Sequence, residues 1–597
     1  MYSNQFMTDR EIFDTLDFTD QHGGTVVYYD RQKGAGKISG EGHTFYYGET
    51  GAGKTRRGDM ALLHSIILSE DRDSFLAVDS KHGELHEATS GLAKARGYDV
   101  RVINYANLLA SEGFNPLRMA YQLHKSENLA DRQRADDLLG TIAYALYPDV
   151  EHTDPFWNAS ARELLTAALY TLFYEGEETQ IHIPSLYSIV TKGREKIGVG
   201  GNTLLKQYAS QLPNTRPDKL LYATFINSPN DTAMSIQAVF LNSLSKFITN
   251  HALKAMSSSD TLNILAMDDS KPLAIYIILP DQTADVYASQ AAMLTQQLIL
   301  HFIHLAHQNP NNRLRRQLHV IIEELGSTGV CLPNLNLLMQ ASRSRGIRIH
   351  GILQDEAQLT NLYGEAKASA IKNNANTVLF RVRNYQTLKQ YSDLCGYKDI
   401  VLPDGSLHRE ALITPTHLLQ MDVGQALVMF GKHKMVMQLP DYTEIYGDYS
   451  HLEPVVPQAH LPAPTDIFEL KLRADSSERH FSPSFSFSSE TMPRPVNVDS
   501  ILKTLDERVK EIEEEERKID ADRNKTYHLV LATRPSDPLS LAGELTKLHP
   551  AITRANARRL VSKENSTLVA GLNSKKAREL AHKLNIATDA LILVEED

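Results

Sequence analysis

Gly48-Glu49-Thr50-Gly51-Ala52-Gly53-Lys54-Thr55 sets glycines, a lysine and a hydroxyl at the spacing G-x-x-x-x-G-K-T. Glycines let successive backbone N–H groups turn inward around phosphate oxygens, and a following helix aims its positive end at the same anion. Lys54 would reach the β- and γ-phosphates, and Thr55 would hold Mg2+. An apolar run, His43 to Tyr47, leads into the loop, and a helix-like segment, Arg56 to Leu68, leads out. The motif requires this strand–loop–helix setting. The expected ligands are a nucleoside triphosphate and Mg2+.

Hydrolysis needs an acidic strand end as well. The apolar run Leu318 to Ile322 delivers Glu323 and Glu324 to the carboxyl edge of a sheet, where ligands of open α/β folds bind. Glu323 would hold Mg2+ directly or through water; Glu324 would accept a proton from the attacking water or orient it. Gln354 ends the strand beside the acidic one and is placed to feel the γ-phosphate. Arg343 and Arg345 precede that strand. Either could serve a neighbouring subunit as an arginine finger, because charge developing on phosphoryl oxygens needs a cation. Either could equally cap a helix C-terminus and pair with surface acids.

The elements that must position these residues alternate. From about residue 20 to 120, short β-rich runs alternate with amphipathic helical patterns, with strands expected at Ser74–Val78 and Val100–Ile103. From Leu123 to Met256 helical spacing takes over, as in Ala159–Tyr174 and Thr232–Phe247. The α/β pattern resumes at Leu273–Leu279. It continues through a helix at Ala284–His307 and strands at Leu318–Ile322, Ile347–Leu353, Thr377–Val382 and Ala426–Phe430.

Composition narrows the class. At 597 residues, 42% hydrophobic and 23% charged, the chain reads as a multidomain soluble protein. Two distant cysteines, Cys331 and Cys395, offer neither a disulfide framework nor metal-ligand spacing and imply a reducing compartment. The N-terminus does not read as a signal peptide, and no run of about 18 apolar residues occurs. A net charge of −11 argues against a general basic coat for nucleic acid but leaves room for a local basic channel.

Several linked blocks resemble one family. Asp79-Ser-Lys-His-Gly-Glu-Leu85 with Ala88-Thr-Ser-Gly91 is similar to its D-P-K-G-E-L…T-x-G pattern, and Phe114-Asn-Pro-Leu117 matches F-N-P-L. Ile321–Leu325, Ser344–Ile347 and Gln354 through Gln358-Leu-Thr-Asn-Leu-Tyr-Gly364 follow its D-E, R-G and Q…Q-L…Y-G blocks in order. The chain thus resembles, over about residues 20–445, the TraG/TraD-type conjugative coupling proteins of type IV secretion systems, FtsK/HerA-like P-loop ATPases. The resemblance implies a RecA-like nucleotide domain with an inserted all-α domain, assembled as a homohexameric ring. It implies ATP hydrolysis that drives single-stranded DNA with its relaxase toward a membrane channel, beside the channel's own ATPases and membrane components. Two departures stand out: Glu323-Glu324 replaces the usual Asp-Glu, and the family's N-terminal membrane anchor is not evident. The expected location is cytoplasmic, at the inner face of the membrane, with an accessory protein recruiting the chain or the motor working unanchored.

The expected organisation is residues 1–122 and 263–452 as two parts of the nucleotide-binding domain, with 123–262 as the all-α insertion. A Pro/Ser-rich linker at 453–498 should be extended or disordered. A charged helix at 499–524 reads as either a spacer or a short coiled coil. Residues 525–597 form a small α/β domain resembling the C-terminal domain of the bacterial ribosomal stalk protein, a docking module for an unidentified protein. Arg554, Arg558, Arg559, Lys575, Lys576 and Arg578 there form either a basic face or an ordinary solvated helix surface. The leading function is a DNA-translocating coupling ATPase. The alternatives are another FtsK/HerA-like translocase, or a nucleotide-dependent receptor for secreted proteins with little motor activity.

Overall fold

Nine strands assemble into the sheet that carries the site. They are β1 (His43–Tyr47), β2 (Ser74–Asp79), β3 (Asp99–Asn104), β4 (Leu273–Ile278), β5 (Leu318–Ile322), β6 (Ile347–Leu353), β7 (Ala375–Leu379), β8 (Gln425–Phe430) and β9 (His433–Gln438). Their order is β9-β8-β7-β1-β6-β5-β2-β4-β3. From β7 to β3 all neighbours are parallel, and β8 and β9 close one side as an antiparallel pair. The computed structural model describes residues 5–38, 42–107, 110–148, 154–197, 202–326, 329–403, 405–457 and 466–472. It also describes the backbone of Thr526–Leu531, Ser566–Asn573 and Leu591–Glu595.

β1, β2, β4 and β5 are buried along their whole length, as parallel strands covered on both faces must be. Side chains alternate between two cores. Phe45 and Tyr47 join the one shared with the helices between β3 and β4, whereas Tyr46 joins Leu63, Ile66 and Ile67 of α1 (Met60–Leu68).

Between β3 and β4 the chain is mainly helical, with one two-residue hairpin, Lys196–Ile197 against Asn202–Thr203. The long helix Pro155–Glu175 starts where Asp154 accepts the Phe156 N–H, and Pro155 in its first turn needs no donor. Several strands lie outside the sequence expectation, among them an antiparallel hairpin of Tyr397–Val401 with Leu407–Ala411. Another antiparallel hairpin, Val26–Asp30 with Gly34–Lys37, precedes β1, and β9 extends the sheet. β7 runs from Ala375 to Leu379 instead of the expected Thr377–Val382, with the Phe380 N–H and the Arg381 carbonyl still bonding to Tyr47 and Glu49 beyond it.

The chain divides into two units, Met1–Ser477 and Glu478–Asp597. In the first, residues 453–457 and 466–472 have no regular element yet are tied down. The Val455 N–H donates to Ser90 Oγ (3.0 Å), the Phe468 N–H donates to Ser185 Oγ (3.0 Å), and Phe468 and Leu470 are buried. In the second, Thr526–Leu531 pairs antiparallel with both Ser566–Asn573 and Leu591–Glu595. The charged helix at 499–524, the tail helices with their basic residues, and the rest of the linker lie outside the described residues. Among the described residues no helix is long and apolar enough to cross a membrane.

Candidate functional site

The loop Gly48–Thr55 leaves the carboxyl end of β1 between the ends of its two neighbours. The Gly48 N–H donates to the Leu353 carbonyl of β6 (3.2 Å), and the Glu49 N–H donates to the Arg381 carbonyl beyond β7 (2.9 Å). The Ala52 carbonyl accepts the Gly424 N–H at 3.1 Å, and Thr50 stands exposed. Gly51 and Gly53 have φ of +80° and +102°, the left-handed backbone that only glycine adopts without strain. At Gly51 a side chain would meet nothing within 4 Å, so conformation and not space requires the glycine there.

Lys54 folds back on the loop, its Nζ donating to the carbonyls of Gly48 and Glu49. Burial lowers its pKa, opposed by the charges of Glu324 and Asp59. Thr55–Asp59 forms a π-helical turn before α1, with the Met60 N–H reaching the Thr55 carbonyl. Single π turns of this kind concentrate at functional sites.

Glu323 is fully buried at the end of β5. Its Oε2 accepts from the N–H (3.3 Å) and hydroxyl (3.4 Å) of Ser80, and its Oε1 accepts from Lys81 Nζ at 2.5 Å. The same Nζ donates to Thr55 Oγ1 at 2.7 Å. Burial pushes the Glu323 carboxyl up to about 7, with Lys81 pulling it back. Asp79, the last residue of β2, holds the turn that carries Lys81 by accepting the backbone N–H groups of His86, Lys81 and Gly83.

Glu324 sits at φ +50°, a conformation that costs a non-glycine residue about 1–3 kcal/mol and that collects at functional positions. Its Oε2 accepts from Gln354 Nε2 at 3.1 Å, and the Gln354 N–H donates to Gln358 Oε1 at 2.9 Å. Thus Gly48–Thr55, Glu323, Glu324 and Gln354 gather on one sheet edge.

Arg343 and Arg345 do not join them. Both precede β6, whose seven residues span ~20 Å at about 3.3 Å per residue, so they lie at the opposite edge from their own chain's loop. Arg343 ends the helix Leu335–Arg343, and Arg345 bonds His307 Nε2 (3.1 Å) and Ser344 Oγ (2.6 Å), neither of them an acid. Arg381 and Arg383 do lie beside the loop, each pairing through Nε with Glu49 at 2.7 Å.

Sequence reasoning passed over those two, Lys81 and Asp59. The Asp59 carboxylate is buried with no hydrogen-bond partner on either oxygen, and burial together with Glu323 raises its pKa well above the usual range. Lys81 carried a signal, since it lies inside the D-x-K-x-G-E-L block; Asp59 carried none beyond its place five residues after Lys54.

The donor set suits a triphosphate with Mg2+. The Thr55 hydroxyl and a Glu323 oxygen bracket one cationic nitrogen, and Lys54 lies coiled within the loop. Among the described residues no cluster of three or more His, Cys, Asp or Glu could hold a metal. Mg2+ takes one or two protein ligands and completes its shell with phosphates and water, so Thr55 and Glu323 could serve it.

Residues 6–437 match the family model described as Type IV secretory system Conjugative DNA transfer. No curated protein sequence matches the chain. The fold is that of the bacterial conjugative coupling protein TrwBdeltaN70 in complex with sulphate: 16% identity, 77% of this chain and 97% of that one covered, TM-score 0.56. TrwB in complex with the ATP analogue ADPNP matches at 17% identity over 78% and 97%, TM-score 0.55. TrwB in complex with ADP and Mg2+ matches at 16% over 78% and 97%, TM-score 0.54.

Proposed function

Since this chain belongs to the type IV secretory conjugative DNA transfer family, as a coupling protein of the TraG/TraD type, we propose that it hydrolyses ATP to move single-stranded DNA, with its relaxase, to the secretion channel. The observation that carries this reading is the carboxyl edge of the sheet, where the phosphate loop, Glu323, Glu324 and Gln354 converge. That TrwB has been solved with ADPNP and with ADP and Mg2+ supports the same ligands here.

The N–H groups of residues 48–55 would cradle the phosphates, with Lys54 turning outward to the β- and γ-phosphates. Thr55 and Glu323 would hold Mg2+, which supplies charge neutralisation and orients the phosphates. Glu324 would take the proton of the attacking water, held in aim by Gln354. Arg343 and Arg345, at the far edge, are out of reach of their own chain's nucleotide, so as arginine fingers they would act on a neighbour's in a ring of identical subunits. The chain would work at the inner face of the membrane. Residues 525–597 would serve as a docking module for a partner protein.

The test is ATP hydrolysis by the full chain with and without single-stranded DNA, in low and high salt. Single strands of any sequence should stimulate turnover, and stimulation should fade with salt as phosphate contacts are screened. Lys54→Ala should abolish hydrolysis. A verified hexamer whose turnover ignores DNA would favour the protein-receptor reading over the motor.

A further inference from the structure

Lys81 Nζ lies 2.7 Å from Thr55 Oγ1 and 2.5 Å from Glu323 Oε1, the two oxygens assigned above to Mg2+. A metal bound to both, at Mg–O distances of about 2.0–2.1 Å, would take the place of the ammonium. The two cations exclude each other. We propose that Lys81 is a tethered cation that competes with Mg2+ for Thr55 and Glu323, and must swing out before the metal is held.

The surroundings give Lys81 a way out and Glu323 none. The Glu323 side chain is fully buried and its second oxygen is fixed by Ser80, whereas the Lys81 side chain is 38% exposed. Asp79 anchors the backbone of the turn, so the lysine stem moves about a fixed base. A buried carboxylate stripped of its counter-cation is costly, so while Glu323 is ionised one cation or the other stays with it. Lys81 therefore keeps the carboxylate neutralised between metal-binding events. Once displaced, its ammonium remains at the mouth of the site, where it is available to phosphate oxygens. The proposal rests on the nucleotide reading of this site.

The full chain, without nucleotide, is titrated with Mn2+ while free Mn2+ is followed by electron paramagnetic resonance. Lys81→Met should bind Mn2+ at least tenfold more tightly than wild type, and adding Thr55→Val should erase the gain. Lys81→Gln, which keeps a donor toward Glu323, carries the same expectation should Lys81→Met fail to fold. In wild type, Mn2+ at a saturating concentration should speed amine acylation of Lys81, read by peptide mass spectrometry, relative to the other lysines. Unchanged or weaker Mn2+ binding in the folded variants, or unchanged Lys81 labelling, would overturn the competition. Calorimetry of wild type with ADP and Mg2+ separates the two failures. Normal ADP binding beside unchanged Mn2+ affinities sinks this inference alone, whereas no ADP binding sinks the nucleotide reading with it.

Discussion

Gln354 Nε2 donates to Glu324 Oε2 at 3.1 Å, joining the ends of the neighbouring strands β6 and β5 beside the phosphate loop. The amide fixes a carboxylate whose backbone is already held at φ +50°. A carboxylate restrained in this way is aimed, which a proton acceptor for an attacking water has to be.

Glu324→Gln should keep ATP bound and lower kcat by about 10²–10⁴-fold, the usual worth of a general base. Gln354→Ala should lower kcat by about tenfold with KM little changed, because only aim is lost. Nucleotide binding and phosphate release, measured on each variant, check both. Wild-type turnover by Glu324→Gln would remove Glu324 from the chemistry.

Packing at the sheet's centre allows one close approach. A Cβ added at Gly351 of β6 would lie 2.3 Å from Phe45 Cε1 of β1. Gly351→Ala should cost about 1–3 kcal/mol by overpacking and lower Tm, because the buried Phe45 ring cannot retreat. Phe45→Leu in the same chain should restore part of the loss. Thermal unfolding of the single and double variants reads the coupling.

The buried Glu323 gives stability a defined pH dependence. Its folded pKa of about 7 lies above the ordinary 4.5, so the folded chain holds a proton that the unfolded chain has released. Its contribution is therefore present in full below pH 4.5 and is lost as pH rises to 7. Asp59 shifts in the same direction for the same reason. Unfolding followed against pH in chelator should show Glu323→Gln flattening the fall between pH 5 and 7. An unaltered slope would assign the titration to Asp59.

Two truncations should behave differently. Deleting residues 499–597 should leave Tm and basal hydrolysis near wild type while impairing transfer in cells. Deleting from 453 onward also removes Phe468 and Leu470 from the core, at about 1.5–3 kcal/mol for each buried side chain. That chain should melt measurably lower. Calorimetry and a mating assay check the pair, and loss of hydrolysis in a folded 1–498 chain would make the tail part of the motor.

Local chemistry made much of this protein readable from its residues. The phosphate loop is contiguous, so its glycines, Lys54 and Thr55 declare themselves without knowledge of the fold. β1 and β5 are buried throughout and β6 nearly so, and their mainly apolar runs are why all three were assigned with their observed ends and why Glu323, Glu324 and Gln354 fell on one edge. The hairpin before β1 and strand β9 were missed because short, half-buried strands carry a weak pattern. Residues 453–457 and 466–472 look like linker because segments anchored by a few backbone hydrogen bonds need no periodicity.

Only the tertiary structure decided which charges meet. Strand direction put Arg343 and Arg345 at the far edge, although they stand within eleven residues of Gln354 in sequence. Strand order brought Lys81, more than two hundred residues from Glu323 along the chain, within 2.5 Å of its carboxylate, and set Arg381 and Arg383 against Glu49. The physical reason is that a motif records spacing along one strand–loop–helix, whereas ion pairs depend on which strands are neighbours. That order is set by burial over the whole sheet and is written in no single segment.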